Sequence, residues 1–170
     1  MSLRHAVLGL LAEGSASGYD LMKMFDISLA NVWPATQSQL YSELGKLADT
    51  GLVEVAAEGP RGRKEYAITD AGRAELHHWI TEVTPVTIGR SDVLLRVFFL
   101  GQLSPDEART YLREQAERAV RNHEMLTGIL PLVEGGEDNL SVYGRLALEW
   151  GLRFTTTQRE WAEWAEKQIR

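Results

Sequence analysis

A mainly α-helical chain with one small β-hairpin is the fold class that the sequence predicts, and three observations predict it. Apolar residues recur at helical spacing over most of the 170 residues. Two short runs, around Val53 to Val55 and Tyr66 to Ile68, alternate apolar and polar instead. The stretch between them, Glu58-Gly-Pro-Arg-Gly-Arg-Lys64, has the glycines and proline of a turn.

The order of these elements narrows the class. A helix starts after Pro34 with Thr36 as its cap, and Leu40, Leu44 and Leu47 form one apolar stripe along it. At about 100° per residue, Ser38, Ser42, Gly45, Lys46 and Asp49 fall on the opposite side, with Gln39 and Tyr41 on the flanks. Gly51 follows as a C′ glycine, and the hairpin comes next. Its tip carries Arg61, Arg63 and Lys64, and a further helix opens near Thr69. Helix, basic-tipped hairpin and helix in this order are the plan of a winged helix-turn-helix.

That plan implies a chemistry. Small outward side chains let a helix backbone descend into a major groove about 12 Å wide, and a cationic hairpin tip follows phosphates or enters a minor groove. The candidate DNA-binding residues are therefore Gln37, Ser38, Gln39, Ser42, Lys46, Arg61, Arg63 and Lys64, with Tyr41 on the flank able either to reach a phosphate or to pack against the wing. Gln37 and Gln39 suit adenine edges, and Lys46 suits guanine or phosphate. Each of these is also an ordinary solvent-facing residue, so both accounts stand on sequence alone.

Several segments resemble the PadR family of transcriptional regulators. They are Gln39-Leu-Tyr-Ser-Glu-Leu44, Leu47 to Leu52 with Gly51, and Arg61-Gly-Arg-Lys-Glu-Tyr-Ala-Ile-Thr69 followed by Gly72. Leu3 to Leu11 with Ser17-Gly18-Tyr19-Asp20-Leu21 is similar to that family's opening helices. Ser91 to Leu100 is similar to the start of the C-terminal domain in the longer subgroup related to virulence activators. Ser42 and Glu43 stand where many members carry a proline after the tyrosine, which bears on the operator sequence more than on the fold. The resemblance implies a homodimer, a phosphate role for Tyr41, and in some members a phenolic or cationic drug effector.

Beyond the hairpin, a helix carries Leu76, Trp79, Ile80 and Val83, and Thr84 to Ser91 breaks the helical pattern with Pro85 and Gly89. The expected organisation is a winged-helix DNA-binding domain over 1–84, a linker over 85–91, and an antiparallel helical dimerisation domain over 92–170. Asp92 to Gly101 is apolar on nearly every side, so burial between other elements is expected. Ser104-Pro105-Asp106-Glu107 is a capping box with proline at N1. Leu112, Ala116, Ala119, His123, Leu126 and Leu130 then alternate 4 and 3 apart, the seam of a short coiled coil. The last segment sets Tyr143, Leu146, Trp150, Phe154, Thr157, Trp161 and Trp164 along one stripe, more aromatic surface than so small a domain covers by itself. Homodimerisation is the simplest resolution. Trp150, Trp161 and Trp164 are also candidates to line a pocket for a small aromatic effector, against the alternative of core and interface residues.

Composition bounds the function. The 44% hydrophobic and 25% charged content suits a soluble globular protein, and no apolar run reaches the roughly 18 residues of a membrane span. Arg4 and His5 before an apolar run superficially resemble a short signal peptide, but the first helix of a winged helix accounts for it better. No cysteine means no disulfide and no cysteine zinc site, and a cytoplasmic location is expected. His77 and His78 point about 100° apart on a helix and cannot chelate one ion together, and no metal or other cofactor is expected. No phosphate loop, catalytic carboxylate pair or nucleophile elbow is present, so the chain is read as not an enzyme.

Charge complicates DNA binding. The chain carries −6, and residues 1–84 hold 7 Lys and Arg against 11 Asp and Glu, a balance of −4. Affinity must come from local patches, with a salt slope of about −0.9 per phosphate neutralised. The favoured function is a sequence-specific transcriptional regulator, a repressor that binds an inverted-repeat operator. The alternative is a winged-helix protein-interaction module that binds no duplex.

Overall fold

The computed structural model describes residues 2–29, 32–59, 62–85 and 91–170. It divides into two compact units, Met1–Pro85 and Val86–Arg170.

The first unit opens with α1 (Ser2–Glu13), a strand β1 (Ala16–Ser17) and α2 (Gly18–Ser28). Then come α3 (Gln37–Asp49), β2 (Val53–Glu58), β3 (Lys64–Ile68) and α4 (Asp70–Thr81). The apolar start is the centre of this unit: Val7, Leu8, Leu10 and Leu11 of α1 are buried with Leu21 and Phe25 of α2. The predicted α3 stripe of Leu40, Leu44 and Leu47 closes that core, together with Val53 and Ile68 from the sheet.

Each helix start has its local reason. Thr36 caps α3 and Ser17 caps α2, both with reciprocal capping boxes, and Thr69 caps α4. Gly51 takes φ +70° just past α3, which turns the chain into β2. The sheet is antiparallel in the order β1-β3-β2, with Val53 opposite Ile68, Glu58 opposite Lys64 and Ala16 opposite Tyr66. A bulge between Val55 and Ala57 shifts the register of the hairpin. Of the expected alternating pair, Val53 is buried whereas Val55 is exposed.

The second unit has α5 (Asp92–Phe98), a 3₁₀ turn (Leu100–Gln102), α6 (Pro105–Val133) and α7 (Asn139–Glu166). Helices α6 and α7 run antiparallel, and Gly135 at φ +80° serves the turn between them. The predicted seam faces α7, with Leu112, Ala119 and Leu126 buried and Ala116, His123 and Leu130 half-buried. From α7, Leu148, Thr155 and Ala162 turn inward at a spacing of seven. His123 Nδ1 meets Thr155 Oγ1 at 3.0 Å between the two helices.

One expectation is corrected. Helix α5 has no buried residue, and Phe98 is 85% exposed, so its all-round apolar surface is not covered within the chain. Only Val97 of that helix joins the cluster of Leu100, Ala108 and Leu112. Seven residues are too short to fill a core that two long helices already close between themselves.

Candidate nucleic-acid interface

The outer face of α3 is as small and polar as its spacing implies. Gln37, Ser38, Gln39, Tyr41, Ser42, Gly45 and Lys46 are all exposed, while Leu40, Glu43, Leu44 and Leu47 are buried. Lys46 Nζ lies 3.4 Å from Oε2 of Glu43, whose side chain is largely buried. That contact draws the lysine toward the edge of the helix and leaves most of it in solvent.

Two of the candidate DNA-binding residues have work inside the fold. Gln39 Oε1 accepts the backbone N–H of Thr36 at 2.9 Å and its hydroxyl at 3.1 Å, so this side chain closes the helix cap. The pattern Thr36-x-x-Gln39 is a capping-box signature and was available in the sequence. Tyr41 is 43% exposed, and its ring lies against Gly18, where a Cβ would come within 2.6 Å of the ring edge. Gln37, Ser38 and Ser42 keep their side chains on the exposed face.

The hairpin tip is also partly engaged. Arg63 Nη2 donates to Asp20 Oδ2 at 2.6 Å, joining the wing to the first turn of α2. Asp20 also accepts the Ser17 hydroxyl at 2.6 Å. That hydroxyl, and then the guanidinium charge, hold its carboxyl below the usual carboxylate range despite an opposing desolvation effect. Neither Gly18 nor Asp20 stood out as a functional residue by spacing, since their partners lie far along the chain. Lys64 opens β3 and is exposed, Gly62 takes φ +76° beside it, and Arg61 lies outside the described residues. Tyr41 and Arg63 thus converge on one turn of α2, two residues apart.

In the second unit the three tryptophans separate. Trp150 and Trp164 are exposed, and Trp150 stacks on Phe154 at 5.0 Å between ring centroids. Trp161 instead packs on the Leu100, Ala108 and Leu112 cluster. Among the described residues, no group of His, Asp and Glu is arranged to hold a metal, and no helix is long and apolar enough to cross a membrane.

A polar helix face and a cationic hairpin that meet at one turn are the arrangement of a winged helix-turn-helix, the class of module whose exposed helix suits a DNA groove. Comparison with known proteins gives the family. Residues 7–78 match the transcriptional regulator PadR-like family, and residues 89–170 match the C-terminal domain of virulence activator alpha. A probable transcriptional regulator of Mycobacterium tuberculosis is 32% identical over 96% of this chain and 95% of its own. The negative transcriptional regulator PadR of Bacillus subtilis is 36% identical over 68% of this chain and 66% of its own. This chain belongs to the PadR-like family of transcriptional regulators.

Solved structures agree on the fold. Bacillus subtilis PadR in complex with operator DNA superposes with a TM-score of 0.85 at 29% identity, covering 100% of both chains. The same protein with p-coumaric acid gives 0.86 at 30% identity over 99% of both. The Vibrio cholerae virulence activator AphA gives 0.83 at 26% identity, over 98% of this chain and 97% of its own.

Proposed function

We propose that the protein is a homodimeric repressor, acting in the cytoplasm, that reads an inverted-repeat DNA operator and is released by a small aromatic effector. The observation that carries DNA binding is the convergence of Tyr41 and Arg63 on Gly18 and Asp20. It brings the outer face of α3 and the cationic wing side by side at one turn of α2, the neighbourhood that a groove reader with a phosphate-following wing requires. Structural similarity to PadR bound to operator DNA supports the same reading. Ser38, Ser42 and Gln37 are the side chains offered to base edges, with Lys46, Lys64 and the wing arginines directed at phosphates. Tyr41, seated on Gly18, has its hydroxyl for a phosphate.

Pairing follows from the second unit. Phe98, Phe99, Leu95, Trp150, Leu146 and Trp164 are all exposed in a single chain, large apolar groups that a partner surface would take out of water. A second copy is the occupant that twofold symmetry supplies, and two winged helices then meet half-sites about 34 to 36 Å apart. The repressor role and the aromatic effector rest on the Bacillus relative, a negative regulator and a protein crystallised with p-coumaric acid. The exposed Trp150–Phe154 stack offers a flat ring a partner.

Selection of bound sequences from a random duplex pool tests this function. An inverted repeat with half-sites one turn apart is expected, and a pool that never enriches removes the reading. Quenching of tryptophan fluorescence by phenolic acids, with loss of operator binding, tests the effector.

A further inference from the structure

We propose that Asp20 is an internal competitor for the wing: its carboxylate holds the Arg63 guanidinium in the free protein and yields it to a DNA phosphate on binding. Asp20 thereby sets duplex affinity below what the wing cations alone would reach. The proposal rests on the DNA-binding function above and assigns a tuning residue to it.

Four observations carry it. Arg63 Nη2 and Asp20 Oδ2 are 2.6 Å apart, although 43 residues separate them in sequence. The side chains are 55% and 42% exposed, so an incoming anion has access to the pair. An exposed pair of this kind is weakly held, and a phosphate presents the same acceptor oxygens to the guanidinium fork. Finally, Asp20 does not depend on the arginine. The same Oδ2 accepts from Ser17 Oγ at 2.6 Å and from Ser17 N at 3.4 Å, at the N-terminal turn of α2 where partial positive charge favours a carboxylate. Release of Arg63 therefore leaves no stranded anion. It frees one cation in a domain where acidic residues outnumber basic ones.

A double-mutant cycle on the full chain tests it, with Asp20→Asn, Arg63→Ala and the double variant titrated onto one labelled duplex. Asparagine keeps the acceptor that Ser17 needs and loses the charge. Asp20→Gln is the second variant, since glutamine also serves a capping box. Thermal melts show that each variant is folded. Asp20→Asn is expected to tighten binding about two- to fivefold per wing while Arg63 is present. With Arg63→Ala the gain should shrink to the small general effect of removing one negative charge. Equal tightening in both backgrounds, or weakening by the folded Asp20 variants, overturns the proposal while leaving DNA binding intact. Failure of wild type and every variant to bind any duplex overturns the DNA-binding function itself.

Discussion

The ring of Tyr41 occupies the space beside Gly18 that any side chain there would need, with ring carbons 2.6 and 2.8 Å from an added Cβ. Tyr41 lies on the exposed flank of α3, so its ring can swing away. Gly18→Ala is therefore expected to change stability by less than about 1 kcal/mol, because the displaced group is the far end of a side chain. Duplex affinity should fall all the same, since the tyrosine hydroxyl leaves its seat. Melting curves and a DNA titration on the same variant check both halves.

Gly72 gives the opposite result for the same type of substitution. An added Cβ there collides with the Leu52 carbonyl, a backbone atom that also accepts the N–H of Thr69 at 3.1 Å, and with the Ile68 side chain. The Leu52 carbonyl, a backbone group held by that hydrogen bond, cannot rotate out. Gly72→Ala should cost about 2 kcal/mol or more, read as a lowered denaturation midpoint.

Acid should weaken the fold through its helix caps. Asp20, Glu107 and Asp138 each accept a serine hydroxyl at 2.6 Å, from Ser17, Ser104 and Ser141. Those hydroxyls are the main reason all three carboxyls lie below the usual carboxylate range. Folded values below unfolded ones mean that the unfolded chain takes up protons first as pH falls. The stabilisation is therefore complete above the ordinary carboxylate range, and it disappears as pH drops through the folded values. Melting midpoints followed from about pH 5 to pH 2 should fall, and Ser104→Ala should make that fall shallower.

Much of this was legible in the sequence because it is local. The α3 stripe, the Thr36 and Ser104 caps, the Gly51 turn and the α6 seam are patterns within a few residues, and spacing alone encodes them. What escaped is non-local. The two-residue strand Ala16–Ser17 has no period of its own and exists through pairing with Tyr66 and Glu65. Arg63 reads as a free wing cation until the fold brings Asp20 beside it. His5 stacks on Trp79 at 4.5 Å and meets Glu75 at 3.2 Å, contacts across some seventy residues that explain its burial. Trp161 shares a helical stripe with Trp150 and Trp164, yet it packs on Leu112, because a cluster at the start of α6 covers that end of α7.

The exposed aromatic groups of the second unit make a further prediction. Phe98→Ser combined with Trp150→Ser removes two of the largest of them, which are 85% and 67% accessible. Neither contributes to the buried core of the unit, so the double variant should melt near wild type. Sedimentation velocity at micromolar concentration should shift from dimer to monomer. Operator affinity should fall with it, as two half-sites are no longer read by one linked particle.

The central claim is that two winged helices read one duplex through local cations on an otherwise acidic protein. The most direct test is titration of wild-type protein onto a selected, labelled duplex at several salt concentrations, with stoichiometry measured in the same series. Two chains per duplex are predicted, with log affinity falling linearly as log salt rises, by about 0.9 per phosphate contact. Binding that is absent, or one chain per duplex with affinity indifferent to salt, would contradict it.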